Sequence, residues 1–169
     1  MRRTFTLFAT LVLLWTVLAQ VNHALAAWRI YLFGGGLFVA FTALTQPRRS
    51  GFAAIVLGGL VCDANTPVAF GTHTLLFAAA HLTLFHVHER VPRDDNLTAI
   101  AVVLLTNLAL FLVFSFLQIH DSPAPAAMWP RLITDLLCSQ VFLALITPWF
   151  FALQARALLL ARVDRPNYA

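Results

Sequence analysis

The sequence predicts an all-α membrane protein with six transmembrane helices. Of its 169 residues, 60% are hydrophobic and 11% are charged, whereas an ordinary soluble domain is ~25% charged. The apolar residues form long runs without the period-two alternation of membrane β-strands, which favours helices that satisfy their own backbone groups. The connecting stretches are too short to contain a soluble domain.

Six apolar segments divide the chain, which we interpret as a single polytopic membrane domain, residues 1–169. The segments are 5–20, 28–45, 51–63, 68–88, 97–119 and 131–154. A helix needs ~20 residues to cross a ~30 Å hydrocarbon core. The third segment has only thirteen residues, so we expect it to be shifted, tilted or covered by its neighbours.

The first segment also has the outline of a cleavable secretory signal. Arg2-Arg3 precede an apolar run, and Ala24-Leu25-Ala26 follow it. Loss of this segment would upset the distribution of arginines across the membrane, so an uncleaved first helix is the preferred interpretation.

The break after Asp63 decides the number of spans. Asn65-Thr66-Pro67 stands there, and proline disfavours the helical conformation in the residue before it. All eleven basic residues are arginines. With six spans, nine arginines lie on one side of the membrane and two, Arg29 and Arg131, on the other. With five spans, five arginines lie on one side and six on the other. The positive-inside bias therefore favours six helices with cytoplasmic termini. No basic stripe with interleaved aromatic residues points to nucleic acid.

Asp63 and Asp135 are the ionisable candidates inside the predicted spans. A charge at the helix centre costs ~2.5–3.5 kcal/mol, so it usually faces protein or water. Both acids would lie in the outer half of the membrane and could share one polar pocket, with Arg131, Thr134 or Arg29 as neutralising partners. The simpler interpretation is that each carboxylate caps a helix end.

Other polar and small residues favour packing over chemistry. The histidines do not converge from facing helices as a haem or metal site requires. Gly34-Gly35-Gly36 and Gly58-Gly59 let helices approach closely in lipid. Pro148, beside Trp149, should kink the last helix. No nucleotide-binding, hydrolase or zinc-protease motif is present, so we expect neither an enzyme nor a cofactor.

The glycine spacing around Asp63 resembles that of the MreD rod-shape-determining family of bacterial inner-membrane proteins. The residues are Gly59-Leu60-Val61-Cys62-Asp63 and Gly71-Thr72-His73-Thr74-Leu75. In that family a glycine four residues before an aspartate closes one helix, and a glycine eight residues after it opens the next. Pro148-Trp149 resembles the family's C-terminal helix. The specific likeness covers residues 58–76 and 144–156, and Thr66-Pro67 departs from the Ser-Gly turn common in members.

The resemblance implies a fold similar to the substrate-binding components of energy-coupling-factor transporters. It also implies a non-enzymatic scaffold of the cell-elongation complex in the inner (cytoplasmic) membrane, which docks MreC and links peptidoglycan synthesis to cell shape. MreB, RodA and a penicillin-binding protein would be indirect partners. The motif or partner-interface candidates are Gly59, Asp63, Gly71, Pro148 and Trp149.

Two other functions remain open from the sequence. A small-solute binding or transport component would have Asp63, Asp135, Asn107 and Trp149 line a cavity that opens outward. An integral-membrane lipid enzyme would need two or more acids beside a metal or headgroup. A well-packed core would weigh against transport, whereas a cavity of ~300 Å³ or more lined by Asp63 and Asp135 would weigh against the scaffold.

Overall fold

The computed structural model describes residues 1–66, 68–87, 96–120 and 125–161. Within these ranges the chain is all-helical, with six α-helices, one 3-10 helix and no strand, which confirms the all-α part of the predicted fold class. The α-helices are α1 (Arg2–Leu25), α2 (Gly35–Thr45), α3 (Arg48–Asn65), α4 (Thr72–Val87), α5 (Asn96–His120) and α6 (Pro125–Leu160), and the 3-10 helix is Ala26–Trp28. Pro67 and residues 88–95, 121–124 and 162–169 lie outside the described residues.

Three stretches of the described chain are long and apolar enough to cross a membrane: Arg2–Trp28, Leu97–Ile119 and Met128–Leu160. They indicate a membrane protein. The other helices are shorter, with 11 residues in α2, 18 in α3 and 16 in α4. At ~1.5 Å per residue, α2 alone spans about half of a ~30 Å hydrocarbon core.

The second predicted span differs most from the structure. Instead of a helix over 28–45, Trp28 ends the 3-10 helix, residues 29–34 are non-helical, and α2 starts only at Gly35. We call residues 29–34 the linker segment. The linker segment is mostly apolar apart from Arg29, but three of its backbone N–H groups donate to side chains on α1 and α6. The third predicted span, 51–63, is longer in the structure because polar residues at both ends continue α3.

The short helix α2 forms the centre of the fold. Eight of its eleven residues are buried, and it packs against α3, α4, α5 and α6. Phe41 makes edge contacts with the rings of Phe150 and Phe151 on α6. The end of the linker segment that leads into α2 is buried with it: Leu32, Phe33 and Gly34 are all buried, whereas Arg29 and Tyr31 remain exposed.

The longest helix, α6, is polar inside and apolar outside. Apolar side chains spaced four residues apart form its exposed stripe: Trp129, Ile133, Leu137, Val141, Leu145, Trp149 and Leu153. Polar side chains make up most of its buried face: Asp135, Ser139, Thr147 and Gln154, together with Leu143 and Phe150. A helix at the surface of a soluble domain has the opposite arrangement. This inversion is expected where lipid surrounds the bundle.

Candidate functional site

Asp63 joins the end of α3 to the start of α4. Its Oδ1 accepts the backbone N–H of His73 at 2.7 Å and lies 2.9 Å from Nδ1 of the same residue. Its Oδ2 accepts the backbone N–H of Thr74 at 3.1 Å and the Thr74 hydroxyl at 2.7 Å. The first N–H groups of a helix have no partner within that helix, and an anion is favourable there. Asp63 therefore caps α4 from the neighbouring helix.

Two glycines make this arrangement possible. A Cβ added to Gly59 would lie 2.6 Å from Cα of Thr74, so the backbones of α3 and α4 touch at this point. Gly71 has φ +97°, a conformation that glycine adopts without strain, and it directly precedes α4. We call Gly59, Asp63, Gly71, His73 and Thr74 the Asp63 corner. The three residues whose spacing carries the family resemblance thus all serve one local geometry.

His73 connects the Asp63 corner to the interior of the bundle. His73 is only 4% exposed. The centroid of its ring lies 4.5 Å from that of the Phe114 ring on α5. Trp15 and Phe77 contact the same ring edge-on. The carboxylate of Asp63 can only accept, so Nδ1 of His73 carries the shared proton. This fixes the orientation of the imidazole.

Polar side chains from α1 and α6 satisfy the backbone of the linker segment. Three consecutive N–H groups each donate to a side-chain oxygen: Tyr31 to Asp135 at 2.8 Å, Leu32 to Asn22 at 2.8 Å, and Phe33 to Ser139 at 2.9 Å. The amide of Asn22 also donates to the Leu32 carbonyl at 3.0 Å. Irregular backbone at membrane depth is tolerated only where protein supplies such partners.

Asp135 has the ionic partner that the sequence suggested. Its Oδ2 lies 3.7 Å from Nε of Arg131, one turn earlier on α6. The Thr134 hydroxyl instead donates a hydrogen bond to the carbonyl of Pro130. Asn107, which is fully buried, accepts the Gly36 N–H at 3.2 Å. Asp135 thus accepts a backbone N–H before α2, and Asn107 accepts one in the first turn of α2.

A cavity of about 710 Å³ opens between the linker segment, the start of α4, and α5 and α6. Aromatic side chains and polar groups line it together, among them Phe33, His73, Phe111, Phe114, Arg131 and Asp135. The two acids do not share this cavity: Asp135 lines it, whereas Asp63 reaches it only through its bond to His73. Asn107 and Trp149 are also not among its lining residues.

Pro148 and Trp149 belong neither to the Asp63 corner nor to the lining of the cavity. Helix α6 continues through Pro148, and the Trp149 side chain is 79% exposed on the outer face. Trp149 lies twenty residues after Trp129, which is also exposed; this is ~30 Å along a helix, the thickness of a hydrocarbon core. Tryptophans are enriched at both membrane interfaces, so this pair fits the two edges of a bilayer.

Sequence reasoning gave no role to Asn22 or Ser139 and treated His73 as a packing residue. Asn22 and Ser139 could have been noticed as isolated polar residues within apolar helices. Their partners, however, are backbone groups 10 and 106 residues away, which no local pattern marks. His73 lies two residues after Gly71, in the first turn of α4.

No group of three or more His, Cys, Asp or Glu side chains in the described ranges could hold a metal ion. No protein-family model, curated protein or solved structure matches the chain. The Asp63 corner and the cavity therefore have to be interpreted from their own chemistry.

Proposed function

We propose that the protein is a non-enzymatic scaffold of the bacterial cell-elongation complex, docking an MreC-like single-span protein and through it MreB, RodA and a penicillin-binding protein. The Asp63 corner is the observation that carries this proposal. The spacing of Gly59, Asp63 and Gly71 motivates the resemblance to MreD, and each of the three residues has a steric or hydrogen-bonding role there. Because all three residues have a role in the fold, their spacing supports the proposed resemblance more strongly than a spacing without a structural role would.

In this proposal the chain crosses the inner membrane six times, in an arrangement similar to the substrate-binding components of energy-coupling-factor transporters. The linker segment and α2 together make the second crossing, and α3 and α4 make the third and fourth. Both termini then lie in the cytoplasm, which the arginine distribution favours. Reporter fusions that are active only on one side of the membrane test this, and opposite locations of the two termini would overturn the six-span count.

The docking face in this proposal lies on α3 and α4. Leu57 and Leu60 on α3 and Leu75 on α4 are exposed apolar side chains near the Asp63 corner. Because the corner fixes the two helices relative to each other, these side chains are held in fixed relative positions, which lowers the entropic cost of binding. A single apolar helix can pack there through van der Waals contacts, as helices in lipid do.

Site-specific photo-crosslinking tests the docking face without disturbing the fold. A photoreactive phenylalanine analogue replaces Leu60 or Leu75, with Leu137 or Leu145 on α6 as matched controls of similar or greater exposure. The expected result is a crosslink to a co-expressed MreC-like protein from the first two positions and none from the controls. Crosslinks from α6 alone, or from none of the four positions, would contradict this docking face.

A further inference from the structure

The cavity between the linker segment, the start of α4, and α5 and α6 has the size and composition of a ligand site. Its volume of about 710 Å³ falls within the ~300–1,000 Å³ typical of small-molecule pockets. Such pockets combine mostly apolar walls with a few polar groups that orient the ligand. The proposed scaffold role does not involve this cavity.

The cavity has an apolar interior and a charged rim. Phe33, Phe111 and Phe114 are buried, at 6–7% exposure, and the ring of Phe33 packs against the other two. The side chain of Arg131 is 66% exposed and lines the same cavity. A ligand that enters from the surface would therefore place an apolar part among the phenylalanines and keep a polar part beside Arg131.

Within the described part of the chain, Arg131 has one ionic contact, which leaves most of its donors available. Its Nε faces Asp135 at 3.7 Å, and the carboxylate of Asp135 is itself held by the Tyr31 N–H. A guanidinium has five N–H donors in a fixed fork that matches carboxylate and phosphate groups. Ser115 on α5, 6% exposed, adds a hydroxyl to the cavity wall. The polar end of the ligand would thus meet the donors of Arg131.

Two exposed tryptophans lie close in the chain to residues that line the cavity. Trp129 is adjacent on α6 to the lining residue Met128, and Trp28 stands three residues before Tyr31, which also lines the cavity. These tryptophans are 53% and 76% exposed, respectively. Tryptophan concentrates where acyl chains meet headgroups, so these residues are consistent with this part of the cavity lying at the depth of an amphiphile's head.

We infer that the cavity binds an anionic amphiphile, whose phosphate or carboxylate group pairs with Arg131 while its apolar part lies against Phe33, Phe111 and Phe114. A membrane lipid and a soluble short-chain anion share this chemistry. Binding is noncovalent and requires no metal or cofactor.

Native mass spectrometry of the full chain, released from neutral detergent, tests the inference. The lipid probe is phosphatidylglycerol in competition with phosphatidylcholine of the same acyl chains, and the soluble probe is hexyl phosphate without lipid. The variant is Arg131→Gln, whose exposed position should leave folding intact. Arg156→Gln removes the same charge from an exposed site of α6 away from the cavity, and Arg131→Lys keeps the charge.

The expected result is binding of an anionic probe that falls at least ~10-fold in Arg131→Gln, stays unchanged in Arg156→Gln and is partly retained in Arg131→Lys. Preference for phosphatidylglycerol over phosphatidylcholine would identify a membrane lipid as the ligand. Arg131-dependent binding of hexyl phosphate, without such a preference, would identify a soluble anion. Equal losses in Arg131→Gln and Arg156→Gln, or no binding of either anionic probe, would overturn the inference.

Discussion

The carboxylate of Asp63 accepts the backbone N–H of His73 at 2.7 Å, so an acid on one helix caps the start of the next. The same carboxylate also accepts hydrogen bonds from the Thr74 N–H, the Thr74 hydroxyl and the His73 imidazole. An isolated acid in an apolar segment is a functional candidate by default. Here these four partners all belong to α4, which gives Asp63 a structural reason to be buried.

Replacing Asp63 with asparagine (Asp63→Asn) should destabilise the protein, although the side chain keeps its shape. The new amide would point its NH₂ group at donors that now bond an oxygen, leaving buried groups unpaired at a cost of about 2–4 kcal/mol. Thermal unfolding in detergent measures this loss. Asp135→Asn is the matched comparison; it should cost less because Asp135 accepts one backbone N–H where Asp63 accepts two. Equal losses would contradict the capping role.

Gly59→Ala should destabilise the contact between α3 and α4. The added methyl would lie 2.6 Å from Cα of Thr74, and a backbone atom cannot move aside cheaply, so the expected loss is about 1–3 kcal/mol. Gly34→Ala is the control, since its methyl would meet only the end of the Leu18 side chain at 3.0 Å. Thermal scans of both variants in the same detergent provide the measurement. If Gly34→Ala loses as much stability as Gly59→Ala, the close approach of the helices is not the cause.

The linker segment should depend on Asn22. Asn22→Ala removes the partner of both the N–H and the C=O of Leu32, and Leu32 is 5% exposed. Leaving such buried groups unsatisfied costs about 1–3 kcal/mol each. Hydrogen exchange of the Leu32 amide should accelerate together with the loss of thermal stability. Thr83→Ala, which removes a hydroxyl bonded within an exposed part of α4, should change neither, and unaltered exchange in Asn22→Ala would contradict the assignment.

The sequence located the Asp63 corner, because the Gly59 and Gly71 spacing is local and the turn follows directly. It did not reveal the linker segment. Residues 28–45 form one apolar run, and hydropathy measures the side chains without indicating whether the backbone has partners on other helices. The side-chain oxygens that accept the linker's N–H groups come from Asn22, Asp135 and Ser139. The sequence also does not predict the volume of the cavity, because that volume depends on how α4, α5 and α6 are spaced.

The exposed stripe of α6 should face lipid, with Trp129 and Trp149 at the two edges of the bilayer. In vesicles of brominated lipids, variants that retain only Trp129 or only Trp149 should be quenched most by bromine near the headgroups. Val141 lies between them and is 62% exposed, so a tryptophan placed there by Val141→Trp should be quenched most by bromine deep in the acyl chains. The reason is geometric: twenty helical residues span ~30 Å, the width of the hydrocarbon core. Equal quenching depths at the three positions would show that α6 lies along the membrane surface rather than across it.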